Sequence, residues 1–164
     1  MYIVKDLKAF CNGRGIGKVV ATVFLNPCFH AVLLYRISSF FNRIHLKIFA
    51  KIIWYINRVV YDVDIDYRAK LAGGFVLIHG LGTVIGCNVI SEGRLTIYQG
   101  CTLGGNGDVP ADYKGMEILQ PVLQDGVVIF TNACVFGPVI IGKNVTIKAG
   151  TIVTHNIGSI DKNQ

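Results

Sequence analysis

The stretch Leu123–Ile157, LQDGVVIFTNACVFGPVIIGKNVTIKAGTIVTHNI, decides the fold. An aliphatic residue returns at every sixth position: Leu123, Ile129, Val135, Ile141, Ile147 and Val153. A second small or aliphatic series follows four residues behind: Val127, Ala133, Val139, Val145, Thr151 and Ile157. Turn formers stand between them, at Asp125-Gly126, Thr131-Asn132, Gly137-Pro138, Lys143-Asn144 and Ala149-Gly150. A period of six is neither the helical 3.6 nor the strand 2. It fits a short strand and a tight turn repeated around a three-sided solenoid, with the aliphatic side chains stacked inside, which is a parallel β-helix. Residues about eighteen apart then stack one strand spacing, roughly 4.8 Å, above each other. A β-sandwich of short strands would instead show strict alternation and irregular turn spacing.

Upstream the same period runs with interruptions. Ile65, Leu71 and Leu77 are six apart, and a two-residue insertion precedes Ile85, Ser91, Ile97 and Leu103. Between Leu103 and Leu123 the period fails, and residues 104–121 read as a protruding loop.

The chain of 164 residues is the length of one domain with a short appendage. It is 52% hydrophobic and only 16% charged, which excludes a disordered chain. The longest uncharged run considered for a membrane span, Val19–Tyr35, contains Asn26, Pro27 and His30 and falls short of the ~18 residues a spanning helix needs. Cysteines 11, 28, 87, 101 and 134 are odd in number, widely spaced and without a C-x-x-C pair. They predict neither a zinc site nor a disulfide framework, and a reducing cytoplasm. The first residues lack the basic and apolar regions of a signal peptide.

Charge divides the chain in two. Residues 1–61 hold nine Lys/Arg and one acid, a net of +8, whereas residues 62–164 carry a net of −2. Residues 1–61 are therefore read as a helical, basic and apolar segment, and residues 62–164 as the solenoid. Cys28 to Val60 reads as helix, continuous or with one break, with Arg36, Arg43, Lys47, Lys51 and Arg58 in one basic stripe about 80° wide on an otherwise apolar surface. The commoner arrangement packs the apolar side on protein and leaves the stripe in water. The sharper alternative rests the segment on an anionic membrane surface, as a peripheral protein of the inner membrane face. Nucleic acid ranks third and is not expected as a partner, because no nucleic-acid motif accompanies the charge.

Particular residues carry a resemblance that covers about Phe29 to Gly158. They are Phe29-His30-Ala31-Val32 with Tyr35-Arg36, then Asp64-Ile65-Asp66, Ile78-His79-Gly80-Leu81-Gly82-Thr83-Val84-Ile85-Gly86, and Gln99-Gly100-Cys101-Thr102-Leu103-Gly104-Gly105-Asn106-Gly107. The chain resembles the hexapeptide-repeat acyltransferases, in the branch of serine O-acetyltransferase and its relatives in polysaccharide biosynthesis. The resemblance implies a left-handed parallel β-helix with an N-terminal α-helical segment. It also implies a homotrimer with active sites between subunits, and transfer of acetyl from acetyl-CoA to a hydroxyl. By position, His79 would be the general base and Asp64, fifteen residues earlier, its carboxylate partner. Acetyl-CoA would lie against main chain near Gly105, Asn106, Thr131 and Ala149.

The chemistry suits those residue types. A hydroxyl needs a base within hydrogen-bond reach, and an imidazole can take its proton and return it to the thiolate leaving group. A carboxylate on the other ring nitrogen fixes the tautomer. His155 has no paired acid and reads as a turn residue; His30 reads as a packing residue of the helix and His45 as an exposed or packed one. Gly104-Gly105-Asn106-Gly107 lacks the lysine of a P-loop. No carboxylate or histidine cluster has metal-ligand spacing, so no metal is expected.

Three features depart from serine acetyltransferases. Their aspartate before the histidine is Ile78 here, their Arg-His before a proline is Leu119-Gln120, and their acidic segment ahead of the helices is Val23-Phe24-Leu25-Asn26. Those groups match the charges of an amino acid, and unpaired charges in a cleft are costly. The reading placed first is therefore a sugar hydroxyl of a cell-surface polysaccharide, with Gln120 at the acceptor. A divergent serine O-acetyltransferase of cysteine biosynthesis is the alternative, and a non-catalytic trimeric scaffold the third. The family's G-V-P-A-[KR] tail is absent after the last repeat, and a short helical segment predicts a single trimer.

Overall fold

The computed structural model describes residues 1–158; the last six residues, and with them the end of the expected 62–164 solenoid segment, lie outside the described residues. Four helices come first: α1 (Tyr2–Cys11), α2 (Ile16–Leu25), α3 (Pro27–Arg43) and α4 (Lys47–Tyr61). The strands follow. The first coils hold β1 (Val63–Ile65), β2 (Lys70–Leu71), β3 (Phe75–Ile78), β4 (Thr83–Ile85), β5 (Ile90–Ser91), β6 (Leu95–Tyr98) and β7 (Thr102–Gly104). A hairpin, β8 (Ala111–Tyr113) and β9 (Met116–Ile118), intervenes. The remaining coils hold β10 (Val122–Leu123), β11 (Val127–Ile129), β12 (Cys134–Phe136), β13 (Ile140–Ile141), β14 (Thr146–Ile147) and β15 (Ile152–Val153).

The strands stack into three parallel sheets: β1-β4-β7-β12-β15, β2-β5-β10-β13 and β3-β6-β11-β14. They form the three walls of a left-handed β-helix, called here the first, second and third walls. Each wall sends one column of side chains inward. Ile65, Ile85, Leu103, Val135 and Val153 are in register on the first wall, and Leu77, Ile97, Ile129 and Ile147 on the third. All are at most 3% exposed, and burying an aliphatic side chain of this size contributes about 1.5–3 kcal/mol. The second wall stacks Leu71, Ser91, Leu123 and Ile141. Ser91 is the polar member, and its hydroxyl accepts a hydrogen bond from the Ala72 N–H at 2.9 Å, which satisfies it in place.

The helices cap the first coil. Pro27 starts α3, with the Asn26 side chain accepting from the Phe29 N–H, two signals that open a helix. Of the two forms expected for Cys28 to Val60, the helix takes the one with a break, between α3 and α4, where His45 takes φ 63°. That break corrects the five-residue basic stripe. Arg36 is not on it: its guanidinium is buried against Asp6, with Nε 2.8 Å and Nη2 3.1 Å from the carboxylate. It also donates to the Leu71 and Ala72 carbonyls, while Asp6 accepts from the N–H groups of Gly74 and Phe75. This buried pair pins α1 and α3 to the top of the solenoid. Tyr35 assists, donating its hydroxyl to the Ala69 carbonyl at 2.7 Å.

The excursion 104–121 is more than a loop. Its β8–β9 hairpin is anchored to the second wall: Tyr113 donates to Glu92, Lys114 pairs with Glu92 at 2.9 Å, and the Gln124 amide donates to Tyr113. Tyr113 and Ile118 pack with Val122 and Ile140 in a small second core.

Candidate active site

The two-residue insertion in the period falls at one corner. Ile78 pairs with Tyr98 and Val84 with Thr102, so residues 79–83 on this coil stand where only residues 99–101 stand on the next. The surplus carries His79, Gly80 and Gly82 in the left-handed region, at φ 66°, 68° and 67°. Left-handed backbone costs a side-chain-bearing residue energy and is free for glycine. Here it turns an exposed His79 out of the stack at the edge between the third and first walls. The Leu81 N–H closes the turn on the His79 carbonyl at 2.9 Å, and the Gly82 N–H reaches the Asp62 carbonyl at 2.8 Å. A Cβ on Gly80 would stand 3.3 Å from Val63, so the turn lies close on the strand before it.

Asp64 sits on that strand, β1, one coil from Val84. Its side chain faces outward between buried Val63 and Ile65. The carboxylate is held from α4: Trp54 Nε1 donates to Oδ1 at 2.9 Å, and Arg58 lies 3.3 Å from Oδ2. The corner thus brings Asp64 and His79 onto adjoining coils as expected, but Trp54 and Arg58 are the partners of the carboxylate. Among the described residues the His79 imidazole has no hydrogen bond within the chain.

The other candidates line the first wall from both edges. Thr131 and Ala149 occupy the same corner as His79 on lower coils, with the Gly150 N–H donating to the Thr131 carbonyl at 2.9 Å. Gly105 and Asn106 lie at the opposite edge, beyond β7. Asn106 is hydrogen-bonded to Asp108 and stands over Gly137. Gln120 belongs to that edge as well, its Oε1 accepting from the Asn88 N–H at 2.8 Å and its amide close to Gly86 and Gly105. One chain therefore sets His79 and Gln120 at opposite edges of one wall. His155 is exposed in the last described turn, and His30 bonds the Val23 carbonyl at 2.7 Å.

Behind His79 opens a cleft of about 950 Å³ between the α1–α2 pair and the third wall. Phe10, Cys28 and Ile78 contribute to its apolar part, and Arg14, Lys18 and Arg94 give it positive charge. Among the described residues no aspartate or glutamate lines it. Arg94 is paired with Asp125 at 2.9 Å, which pulls the Asp125 carboxyl below its usual range. Burial pushes the Cys28 thiol up, opposed by a hydrogen bond with the His79 backbone. Sequence reasoning missed Cys28, Trp54, Arg58 and this basic cleft. Only the four-residue spacing of Trp54 and Arg58, which puts both on one face of α4, hinted at a shared target. All five cysteines are free, and among the described residues no group of three His, Cys, Asp or Glu could hold a metal ion.

No protein-family model matches the chain. Sequence comparison finds serine acetyltransferases. That of Synechococcus elongatus is 33% identical over 133 residues, covering 81% of this chain and 52% of the relative. That of Helicobacter pylori is 31% identical over 135 residues, covering 82% of this chain and 75% of the relative. In several such matches the chain spans little more than half of the relative's length. Among solved structures, Neisseria gonorrhoeae serine acetyltransferase superposes with a TM-score of 0.82 at 29% identity, covering 94% of this chain and 59% of that one. A serine acetyltransferase in complex with CoA gives 0.81 at 26% identity, covering 95% and 62%.

Proposed function

The chain belongs to the serine acetyltransferase family, and on that premise we propose that it is an acetyl-CoA-dependent O-acetyltransferase. The observation that carries the reading is His79, turned outward by a left-handed turn where the repeat gains two residues, with Asp64 on the adjoining coil and a cleft behind. In the reaction the acceptor hydroxyl oxygen attacks the thioester carbonyl, the imidazole takes the hydroxyl proton, and the C–S bond breaks as that proton passes to sulfur. Asp64 supports the protonated ring once it exchanges Trp54 or Arg58 for the imidazole. Acetyl-CoA lies along the first wall, between Thr131 and Ala149 at one edge and Gly105 and Asn106 at the other. The opposite-edge placement of His79 and Gln120 favours a homotrimer in which neighbouring walls complete each site.

Serine is the acceptor that the named relatives favour, ahead of the polysaccharide sugar that the departures at Ile78 and Leu119-Gln120 put first. A sugar hydroxyl keeps one specific observation on its side: among the described residues of one chain the cleft behind His79 offers no carboxylate to an amino acid's ammonium. The test is thiol release from acetyl-CoA with L-serine. Serine turnover that falls about 10²–10⁴-fold in His79→Ala, with acetyl-CoA still bound, supports the serine enzyme. Binding of acetyl-CoA without serine turnover moves the acceptor to a sugar. Turnover undiminished in His79→Ala refutes the mechanism.

A further inference from the structure

Helix α4 has two unlike sides. Ala50 and Asn57 face inward, and the Asn57 amide donates to the Ala31 carbonyl of α3 at 3.1 Å. On the far side Ile48, Ile52, Tyr55 and Val59, spaced four, three and four, form one row along the helix. They are 63%, 49%, 62% and 65% exposed. Phe49 and Ile56, also exposed, widen the row to an apolar face about 120° across. Lys47, Lys51 and Arg58 run along one border of it, all exposed. Apolar surface of this extent is rarely left to water, so something covers it.

We propose that this outer face of α4 docks the protein on an anionic membrane surface. Charge decides between the possible occupants. The first 61 residues carry a net of +8, and their one acid, Asp6, is consumed by Arg36 in the interior. A second copy laid face to face would set Lys47 and Lys51 against their own counterparts with no acid to compensate. A bilayer with anionic headgroups offers an apolar boundary for the row and negative charge for its border, which is how an interfacial helix binds. No single described helix is long and apolar enough to cross a membrane; only α2 and α3 taken together, bent by 70° at their break, reach that length and composition, and α4 is not part of that pair.

Flotation of the full chain with vesicles of about 30% phosphatidylglycerol in phosphatidylcholine tests this, with light scattering of the same samples for the oligomeric state. The chain should float at low salt, and the bound fraction should fall at least tenfold in about 0.5 M salt or on pure phosphatidylcholine, because screening shortens the reach of the lysines. Ile52→Glu should abolish flotation. Lys47→Gln with Lys51→Gln should weaken it about 25-fold, roughly fivefold for each charge near the surface. Circular dichroism shows whether each variant is folded; should Ile52→Glu fail to fold, the lysine pair decides. Absence of flotation at low salt overturns the proposal. So does flotation unchanged in the variants, or an Ile52→Glu that splits an oligomer while the parent chain ignores vesicles, which would assign the face to a second copy.

Discussion

Replacing Asp6 by alanine should be among the costliest single substitutions in this chain. The carboxylate is 1% exposed and accepts four hydrogen bonds, two from Arg36 and one each from the Gly74 and Phe75 N–H groups. Its loss leaves a guanidinium that is 7% exposed with the Leu71 and Ala72 carbonyls and the faces of Tyr2 and Tyr35 but no counter-charge, and strands two buried N–H donors. Removing one partner of a buried pair costs about 3–5 kcal/mol, because the remaining charge is uncompensated. For a chain of this size each kcal/mol lowers Tm by about 2–4 °C, so Asp6→Ala should melt roughly 6–20 °C below the parent. Replacing both partners by apolar residues, Asp6→Ala with Arg36→Met, should recover a large part of that loss. Urea and thermal unfolding followed by circular dichroism, at one fixed protomer concentration, give the numbers. An Asp6→Ala chain within about 1 kcal/mol of the parent, or a double variant no better than the single one, would refute the account of α1 and α3 as held down by this pair.

Other substitutions probe other levels of the structure. Trp54→Phe removes the N–H donor to Asp64 and should cost about 1.5–3 kcal/mol in urea unfolding, the range for a hydrogen bond to a charged group. The Asp125 carboxyl is drawn down chiefly by its hydrogen bond with the Arg94 side chain. Its contribution is full above the ordinary carboxylate value near 3.9 and is lost as pH falls through the depressed one. The Tm gap between parent and Asp125→Asn should therefore be open at pH 7 and closed in strong acid; a gap that widens on acidification would contradict this. Gly100→Ala forces a Cβ into left-handed backbone at φ 69° and against the Asn132 side chain, and should cost at least about 1–2 kcal/mol. Gly104→Ala, with nothing within 4 Å of the added carbon, should stay within about 0.5 kcal/mol.

The solenoid was legible because its signal is one-dimensional. A residue that faces inward on a six-residue wall must be small or aliphatic, so Leu123 through Val153 declare the period without knowledge of any distant partner. Even the irregularity was informative, since the two surplus residues before Ile85 mark the corner at which His79 leaves the stack. The helical segment was less legible for the opposite reason. Whether Arg36 faces water or the interior depends on Asp6, thirty residues away, and on the main chain of Gly74 and Phe75. A helical wheel knows only its own helix, so it put Arg36 in a solvent stripe. The same holds for Asp64: the fifteen-residue offset to His79 suggested one partner, while α4 supplied two others, Trp54 and Arg58. Cys28 and the basic cleft come together only when α1 and α2 fold over the third wall.

The pairing of Ile90 with Val122 gives the excursion between them a separate economy. The chain leaves the stack after β7 and rejoins it beside β5 in unbroken register, so the scaffold above and below does not sense how long the detour is. Doubling such a detour adds only about 0.6 kcal/mol of closure entropy. The excursion can thus be lengthened between Asn106 and Ala111 while the inward columns remain untouched, provided Tyr113 and Ile118 keep their packing on Val122 and Ile140. A stack of repeated coils with one variable stretch at its edge lets what that stretch contacts change while the walls that carry His79 and Asp64 stay the same.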